Sequence, residues 1–479
     1  MPRTAEIDVI VGGGGVAGMA AAVAIQQLGY QVMLVEPGLN DDRRLAGEVF
    51  HPPGVAGLAE LGLLPAVMLA PAVTVDGFSV SSGGELIRLP YDTVPTHRLP
   101  GLCLEHSLIR QRMRDAVSAL PNIIINRARV VGVDQSDSSS LIVDIASERH
   151  ATSRYRCRVL VAADGTSSRL ARMAGIGVHN RRISTIWAYR VCSDNLPEQE
   201  YGHVFLGAST PILLYPLGRT EARILFDLPY QPGARPTAAD CLAMAAVLPA
   251  ALRRDVAQAI AAQPRLSVMT QAITTERSVQ GRVVLVGDAG GCCHPLTASG
   301  MSMCVNDALL LREALAERCS DLSAALQLYQ RRRRWPQATR LALADALREA
   351  LCGTSPEMRV VRGGILAYWR DSAAGRAATL ALLSTADGRP LVLVREIIAV
   401  MVRGFLAHLR RPLPANHGIG ELHVARALLA NFFHQVKQVL IGPTMDAPRT
   451  RQPHALPQAG RHGLGLLTAT DREGRGGSR

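Results

Sequence analysis

Lysine is almost missing from this chain of 479 residues: Lys437 is the only one, so the formal net charge of +12 is carried by arginine. Such a skew points to a high-GC bacterial genome before it points to nucleic acid. Arg331 to Arg334 is the one tight basic run. Aromatic residues are scarce, at 4%, too few near that run to build a stacking platform, so no nucleic-acid partner is expected. The run reads as a solvated or membrane-facing helix edge. The nine cysteines include no CxxC pair, which excludes a disulfide framework and fits a reducing, cytoplasmic setting. No histidine-carboxylate spacing suggests a metal, and the adjacent Cys292 and Cys293 read as small apolar packing. A cleavable signal is also missing, because Ile7 to Val11 runs straight into glycines and reads as a strand.

What is present is apolar content of 48% in a chain long enough for two domains with ample core. Ile7-Asp8-Val9-Ile10-Val11 leads into Gly12-Gly13-Gly14-Gly15-Val16-Ala17-Gly18 and an alanine-rich helix, and a second strand, Gln31 to Val35, ends in Glu36. This is the full context of a dinucleotide fingerprint for FAD or NAD. Gly13 makes the turn, Gly15 lets a pyrophosphate approach, Gly18 seats helix on strand, and Val16 and Ala17 open the helix within the same cofactor-binding set. Glu36 stands where an acid reaches both hydroxyls of an adenosine ribose.

A second strand-loop-helix unit runs from Arg282 to Met301 and beyond. Val283 to Val286 is a β-branched run, and Met303, Val305, Ala308, Leu309, Leu311 and Leu315 recur at helical spacing. Between them lies a loop of small residues containing Asp288. Such a loop lets a large flat ligand reach the backbone, and the helix start near Met301 aims N–H groups at it, a geometry that suits a flavin.

Gly287-Asp288 followed by His294-Pro295-Leu296-Thr297 and Gly300-Met301 resembles the second flavin-binding motif of the squalene epoxidase family of flavin monooxygenases. The resemblance gives Asp288 the FAD ribityl and pyrophosphate region, and Met301 a place against the flavin. Ala298-Ser299 replaces the successive glycines usual in that family. Arg44-Leu45-Ala46-Gly47-Glu48 resembles the family's arginine-x-x-glycine-glutamate element and gives Arg44 an FAD contact. His51 stands where the family commonly has glutamine. Leu89-Pro90-Tyr91 resembles the segment that brings a tyrosine into the active site, so Tyr91 and His51 are the candidate catalytic residues. On the helix Glu105 to Leu120, Arg110 is the candidate for the FAD pyrophosphate, and the hairpin opened by Val130 and Val131 lies by resemblance beside the adenine. Val159 to Ala163 closes on Asp164-Gly165, similar to the Asp-Gly motif that flanks the FAD pyrophosphate and the path of the nicotinamide donor. Ala171 occupies the place of that motif's final arginine, with Arg169 and Arg172 beside it.

The resemblance spans Gly13 to about Leu409 and implies an α/β FAD-binding two-domain fold: a Rossmann-like parallel sheet, an inserted mixed-sheet substrate domain and a helical C-terminal region. The expected boundaries are 1–72, 103–180 and 280–345 for the FAD-binding domain, 73–102 and 181–279 for the substrate domain, 346–441 for the helical region and 442–479 for a disordered tail. Ser81-Ser82-Gly83-Gly84 predicts a hairpin turn in the substrate domain, and Trp335-Pro336 predicts an interruption of the helix that follows the Asp288 motif. In 391–411, Arg395, Glu396, Arg403 and Arg410 share one narrow sector, leaving a wide apolar face of Leu393, Val394, Ile397, Ile398, Val400, Met401 and Phe405. Two readings stand for that face: packing within the protein, or peripheral contact with the cytoplasmic face of a membrane. A second amphipathic helix is expected from Leu422 to Leu440.

The implied chemistry is reduction of FAD by NAD(P)H, capture of dioxygen as a flavin C4a-hydroperoxide, and oxygen transfer to a lipophilic, electron-rich alkene or polyene of terpenoid type. Three alternatives share parts of this pattern. They are an aromatic hydroxylase with His51 or Tyr91 as its base, a flavin reductase of isoprenoid double bonds, and a non-catalytic nucleotide-binding escort protein.

Overall fold

The computed structural model describes residues 5–38, 46–147, 151–230 and 235–410, with 426, 429–430 and 433–437 beyond them. Arg44, most of the helix expected from Leu422 to Leu440, and the tail expected over 442–479 lie outside the described residues.

Five strands make a parallel core in the order Val283–Leu285, Ser153–Ala162, Ala5–Gly12, Val32–Val35, Ile123–Asn126. Both faces of this sheet are covered, which is why Val9, Ile10 and Val11 of the strand Ala5–Gly12 are apolar without alternation: Val9 and Val11 pack into one core cluster and Ile7 and Ile10 into another. The alanine-rich helix Val16–Gln26 lies against the helix Gly300–Glu317 on one side. Its small side chains are what allow that close approach.

A second sheet has seven strands, in the order Leu266–Thr275, Val178–Cys192, Glu221–Pro229, Ile212–Pro216, Tyr201–Phe205, Gly77–Ser82, Glu85–Pro90. The predicted hairpin turn falls at Gly83 and Gly84, between the last two strands. One face of this sheet packs on residues 238–262, where Pro249 separates two helical pieces. The other face meets the helices Leu322–Cys352, Pro356–Asp371, Ala373–Leu383 and Pro390–Arg410.

Pro336 does not interrupt the helix as expected. Leu322–Cys352 continues through it. The ring sits against Gly388, where a Cβ would lie 2.7 Å from the proline Cα, and Thr339 donates to the Gly388 carbonyl at 2.8 Å. Tertiary packing offsets the cost of about 3 kcal/mol that proline imposes inside a helix. Among the described residues, no helix is long and apolar enough to cross a membrane.

Candidate active site

At the carboxyl end of Ala5–Gly12 the chain turns through Gly13, whose φ of +118° is open to glycine. A Cβ there would lie 2.3 Å from the Ala163 carbonyl oxygen, and one on Gly18 would lie 1.8 Å from the Gly13 oxygen. A Cβ on Gly15, by contrast, would meet nothing within 4 Å. The helix beginning at Val16 and Ala17 has no side-chain cap and no acid in its first turn, so its first N–H groups and positive dipole end face that open space. The Glu36 carboxylate accepts from the Gly14 N–H at 2.7 Å and the Gly38 N–H at 2.8 Å. Arg110, from the helix His106–Ser118, donates to the Gly38 carbonyl at 3.3 Å. These groups fit a dinucleotide: a loop that a Cβ would fill, unanswered N–H donors for a diphosphate, and an acid at the ribose end.

Two neighbours of this loop are placed by their own local contacts. The Asp164 side chain accepts from the Ser168 hydroxyl and from the backbone of Arg169 and Leu170, at 2.5, 2.7 and 3.1 Å. It therefore anchors the helix Arg169–Met173, while its backbone nitrogen is what lies beside Gly13. Of the hairpin pair, Val130 is buried and faces Gly12, whereas Val131 points outward and is 40% exposed.

The second loop meets the first. A Cβ on Gly287 would lie 2.7 Å from the Ala17 Cβ, so Asp288 begins its turn above the start of the first helix. The turn is held by a buried clamp. Asp307 accepts from the Gly287 N–H at 2.8 Å and from Arg333 Nε at 2.9 Å. Arg333 also donates to the carbonyls of Gly290 at 2.9 Å and Gly287 at 3.3 Å. Arg333 alone departs from the reading of Arg331 to Arg334 as a solvated edge: it is 1% exposed, whereas Arg331 and Arg334 are exposed and Arg332 is half-buried. Asp288 is half-buried, and burial, then the neighbouring Asp288 carboxylate, hold the Cys292 thiol well above its usual range. Cys292 is thus a protonated thiol, in keeping with a packing role.

Tyr91 and His51, 40 residues apart, are joined directly. The Tyr91 hydroxyl donates to His51 Nδ1 at 2.7 Å, and His51 Nε2–H donates to the Thr297 carbonyl at 2.9 Å. Ser302 Oγ accepts from the His51 backbone N–H at 2.9 Å. Both ring nitrogens are in use, and complete burial lowers the His51 pKa to about 4. The ring is therefore neutral and is a poor general base, and its geometry is that of a positioning residue for the 295–299 turn. In that turn Ala298 adopts φ +51°, the left-handed region that glycine enters freely and alanine enters at a cost of about 1 kcal/mol. Hydrogen bonding between the Thr297 and Ser299 hydroxyls at 2.8 Å supports it. Met301, 5% exposed, packs its thioether on Gly47.

Beside Thr297 lies a small cavity walled by Phe78, Val80, Leu89, Val204, Leu296 and Leu351 among others. Among the described residues, no charged side chain lines it. His294, on the same loop, is tied to the seven-stranded sheet by Nε2 at 3.1 Å from Asp227. Glu48, next to Gly47, makes a second tie through Arg223 at 3.1 Å, and Arg223 reaches Glu105 at the same distance. Burial pushes the Glu48 carboxyl up to about 7 against the opposing pull of Arg223.

Sequence reading passed over Asp307, Arg333 and the Glu48–Arg223 pair. Asp307 carried a usable signal, because it lies three residues from Cys304 and four from Leu311 on an apolar helix face, where an acid needs a buried partner. Nothing in the run Arg331 to Arg334 distinguishes Arg333 from its neighbours.

The family model described as squalene epoxidase matches residues 156–416, and that of glucose inhibited division protein A matches residues 8–213. Squalene epoxidase 1 of Arabidopsis thaliana is 28% identical over 422 residues, covering 85% of this chain and 79% of the relative. Squalene epoxidase erg1 of Aspergillus fumigatus is 28% identical over 381 residues, covering 76% and 79%. Among solved structures, p-nitrophenol 4-monooxygenase of Pseudomonas putida superposes with a TM-score of 0.67 at 19% identity, covering 81% of this chain and 100% of that one. HpxO of Klebsiella pneumoniae, solved with FAD, gives 0.66 at 20% identity, covering 79% and 99%. The fold is that of FAD-dependent monooxygenases.

Proposed function

Starting from a chain that belongs to the squalene epoxidase family and is an FAD-dependent monooxygenase, we propose that it uses NAD(P)H and dioxygen to epoxidise or hydroxylate a lipophilic, electron-rich alkene or polyene. The observation that carries this reading is the cavity beyond Thr297, which is walled by apolar side chains and abuts the 295–299 turn. An uncharged wall suits a hydrocarbon double bond and supplies no base to ionise a phenol. His51 does not provide one either, since both its nitrogens are engaged. That weighs against the aromatic hydroxylase reading.

In this proposal Gly13, Gly15, Val16, Ala17 and Gly18 receive the FAD diphosphate, Glu36 its ribose, and Asp288 the ribityl chain. Arg44, Arg110, Val131, Asp164 and Met301 complete the contact set assigned by resemblance, Asp164 through its backbone. Bound FAD supplies electron transfer from NAD(P)H and activation of dioxygen toward electrophilic oxygen transfer. The chain's own residues bind it, keep water from the cavity and orient the alkene. Tyr91 acts one step removed, by holding His51, which in turn holds the Thr297 carbonyl at the cavity mouth.

Two measurements test these roles. Asp288→Ala should weaken FAD binding by about 1.5–3 kcal/mol, the value of a hydrogen bond to a charged group, and equal affinity in a flavin-fluorescence titration removes Asp288 from the set. Purified enzyme should add one oxygen to an isoprenoid polyene by product mass, and Tyr91→Phe should cut that product more than it cuts NAD(P)H oxidation. Oxygen gained only by alkylated phenols assayed in parallel ends the alkene reading.

The helix Pro390–Arg410 bears on the membrane proposal. Its wide apolar face is divided: Leu393 is buried, while Leu391, Ile398, Val402, Leu406 and Leu409 are 45–73% exposed. That outer stripe suits the surface of a bilayer. We expect the intact chain to float with liposomes at low salt, and recovery in the soluble fraction removes the membrane from the proposal.

A further inference from the structure

One helix follows the 287–297 segment from end to end. On Leu322–Cys352, positions 333, 337 and 340 recur at helical spacing and share a face. Arg333 meets the carbonyls of Gly287 and Gly290. One turn on, Gln337 lies against Gly291, where a Cβ would stand 2.1 Å from its Nε2. Arg340 comes next: its Nη1 donates to Gln337 Oε1 at 3.4 Å, and Asp288, Cys292 and Cys293 lie within its electrostatic reach. Further along, Leu347 and Leu351 of the same helix wall the cavity beside Thr297.

The two guanidiniums on this face differ in what answers their charge. Arg333 is neutralised by Asp307 at 2.9 Å. Arg340 is 3% exposed, forms no ion pair among the described residues, and leaves its Nε without a hydrogen-bond partner. A guanidinium stays protonated whatever surrounds it, so this charge is fixed, and burial keeps solvent and salt from screening it. Asp288 is half-buried, and solvent screens its charge more strongly. Burying a cation without a counter-ion is unfavourable for folding, so fold stability does not account for Arg340.

We propose that Arg340 sets the redox poise of the bound flavin, its unneutralised charge favouring the reduced, anionic form. The inference rests on the Asp288 turn as the seat of the flavin. When a hydride passes from NAD(P)H to oxidised FAD, NAD(P)+ leaves and the flavin gains two electrons and one negative charge. A fixed cation behind the turn makes that gain more favourable and raises the midpoint potential. Its field needs neither contact with the ring nor an open path to it. At a separation of about 10 Å and an effective dielectric constant of about 20, one unit charge is worth about tenfold in such an equilibrium.

The test is the two-electron midpoint potential of the FAD-loaded full chain, titrated without oxygen against a reference dye, for the parent and for Arg340→Met, Arg340→Gln and Arg340→Lys. Either neutral variant should be reduced at a potential about 30 mV lower, the equivalent of about tenfold in the equilibrium. Arg340→Lys keeps the charge and should stay within about twofold of the parent, or about 10 mV. Arg331→Met removes an exposed charge from the same helix and should leave the potential where it is. A role confined to structure would weaken oxidised and reduced FAD alike. An unmoved potential in the neutral variants, or an equal fall in Arg340→Lys, therefore overturns the proposal. Affinity for oxidised FAD, measured alongside, keeps the Asp288 assignment separate: Asp288→Ala with parental affinity refutes that assignment, whereas the potentials of the Arg340 variants decide this one.

Discussion

Arg333→Met should destabilise the folded protein by about 3–5 kcal/mol, the cost of removing one member of a buried ion pair. Asp307 is fully buried and Arg333 is its cation at 2.9 Å; without the guanidinium, the Gly287 N–H is the hydrogen-bond donor left to the carboxylate among the described residues. The carbonyls of Gly287 and Gly290 and the Ser278 hydroxyl lose a donor as well. Burial already raises the Asp307 pKa, and loss of Arg333 raises it further. The native variant then binds a proton that the unfolded chain releases, so its stability falls as pH rises above the ordinary carboxylate range. The double variant Arg333→Met with Asp307→Asn removes the uncompensated charge and should regain most of the loss. Denaturant unfolding of the three proteins across pH measures this, with flavin content followed in parallel because the clamp shapes the Gly287–Gly290 turn. A loss below about 1 kcal/mol in the single variant, within the ordinary range for point substitutions, would show that the clamp is not what holds the turn.

His51 should give the fold a marked sensitivity to acid. Its pKa is lowered from 6.5 to about 4 in the folded protein, chiefly by burial. The unfolded chain therefore takes up a proton at higher pH than the folded one, and stability present above pH 6.5 declines as pH falls toward 4. The decline amounts to about 3 kcal/mol over that window. Glu48 works in the opposite sense. With its pKa raised to about 7, its contribution is present at low pH and is lost as pH rises from the usual carboxylate range through about 7. The two slopes overlap in the measured curve, so His51→Gln is the variant that separates them. Glutamine can donate to the Thr297 carbonyl and accept from Tyr91 without titrating. We expect its stability at neutral pH to stay within about 1 kcal/mol of the parent, and the difference between the two curves to open steadily below pH 6.5. Parallel curves from pH 7 to pH 4 would refute the assignment of a buried, neutral His51.

The nucleotide loop could be read directly because its parts are close in sequence. Gly13, Gly15 and Gly18 sit on one strand-turn-helix unit, and Glu36 ends the next strand, so local backbone demands alone select these residue types. The turn at Gly287 and Asp288 was legible for the same reason, as were the apolar strands of the seven-stranded sheet and its hairpin at Gly83 and Gly84. Resemblance supplied the candidates Tyr91 and His51 one at a time, without the hydrogen bond between them.

Pairing across long separations belongs to the folded molecule. The chain from Tyr91 through His51 to Thr297 joins segments 40 and 246 residues apart, and no periodicity encodes which partner faces which. Arg333 looks like its three neighbours in sequence, and becomes a buried cation only because Asp307 faces it from another helix. Glu396 shares a helical sector with three arginines, yet alone among them is buried. Pro336 carries a strong local signal against helix, which packing on Gly388 overrides. Local sequence determined where backbone conformation is special and which faces are apolar, because those depend on near neighbours. The partners of buried charges and the shape of the cavity were decided by tertiary packing, since the free energy of a buried polar group depends on what meets it from elsewhere in the chain.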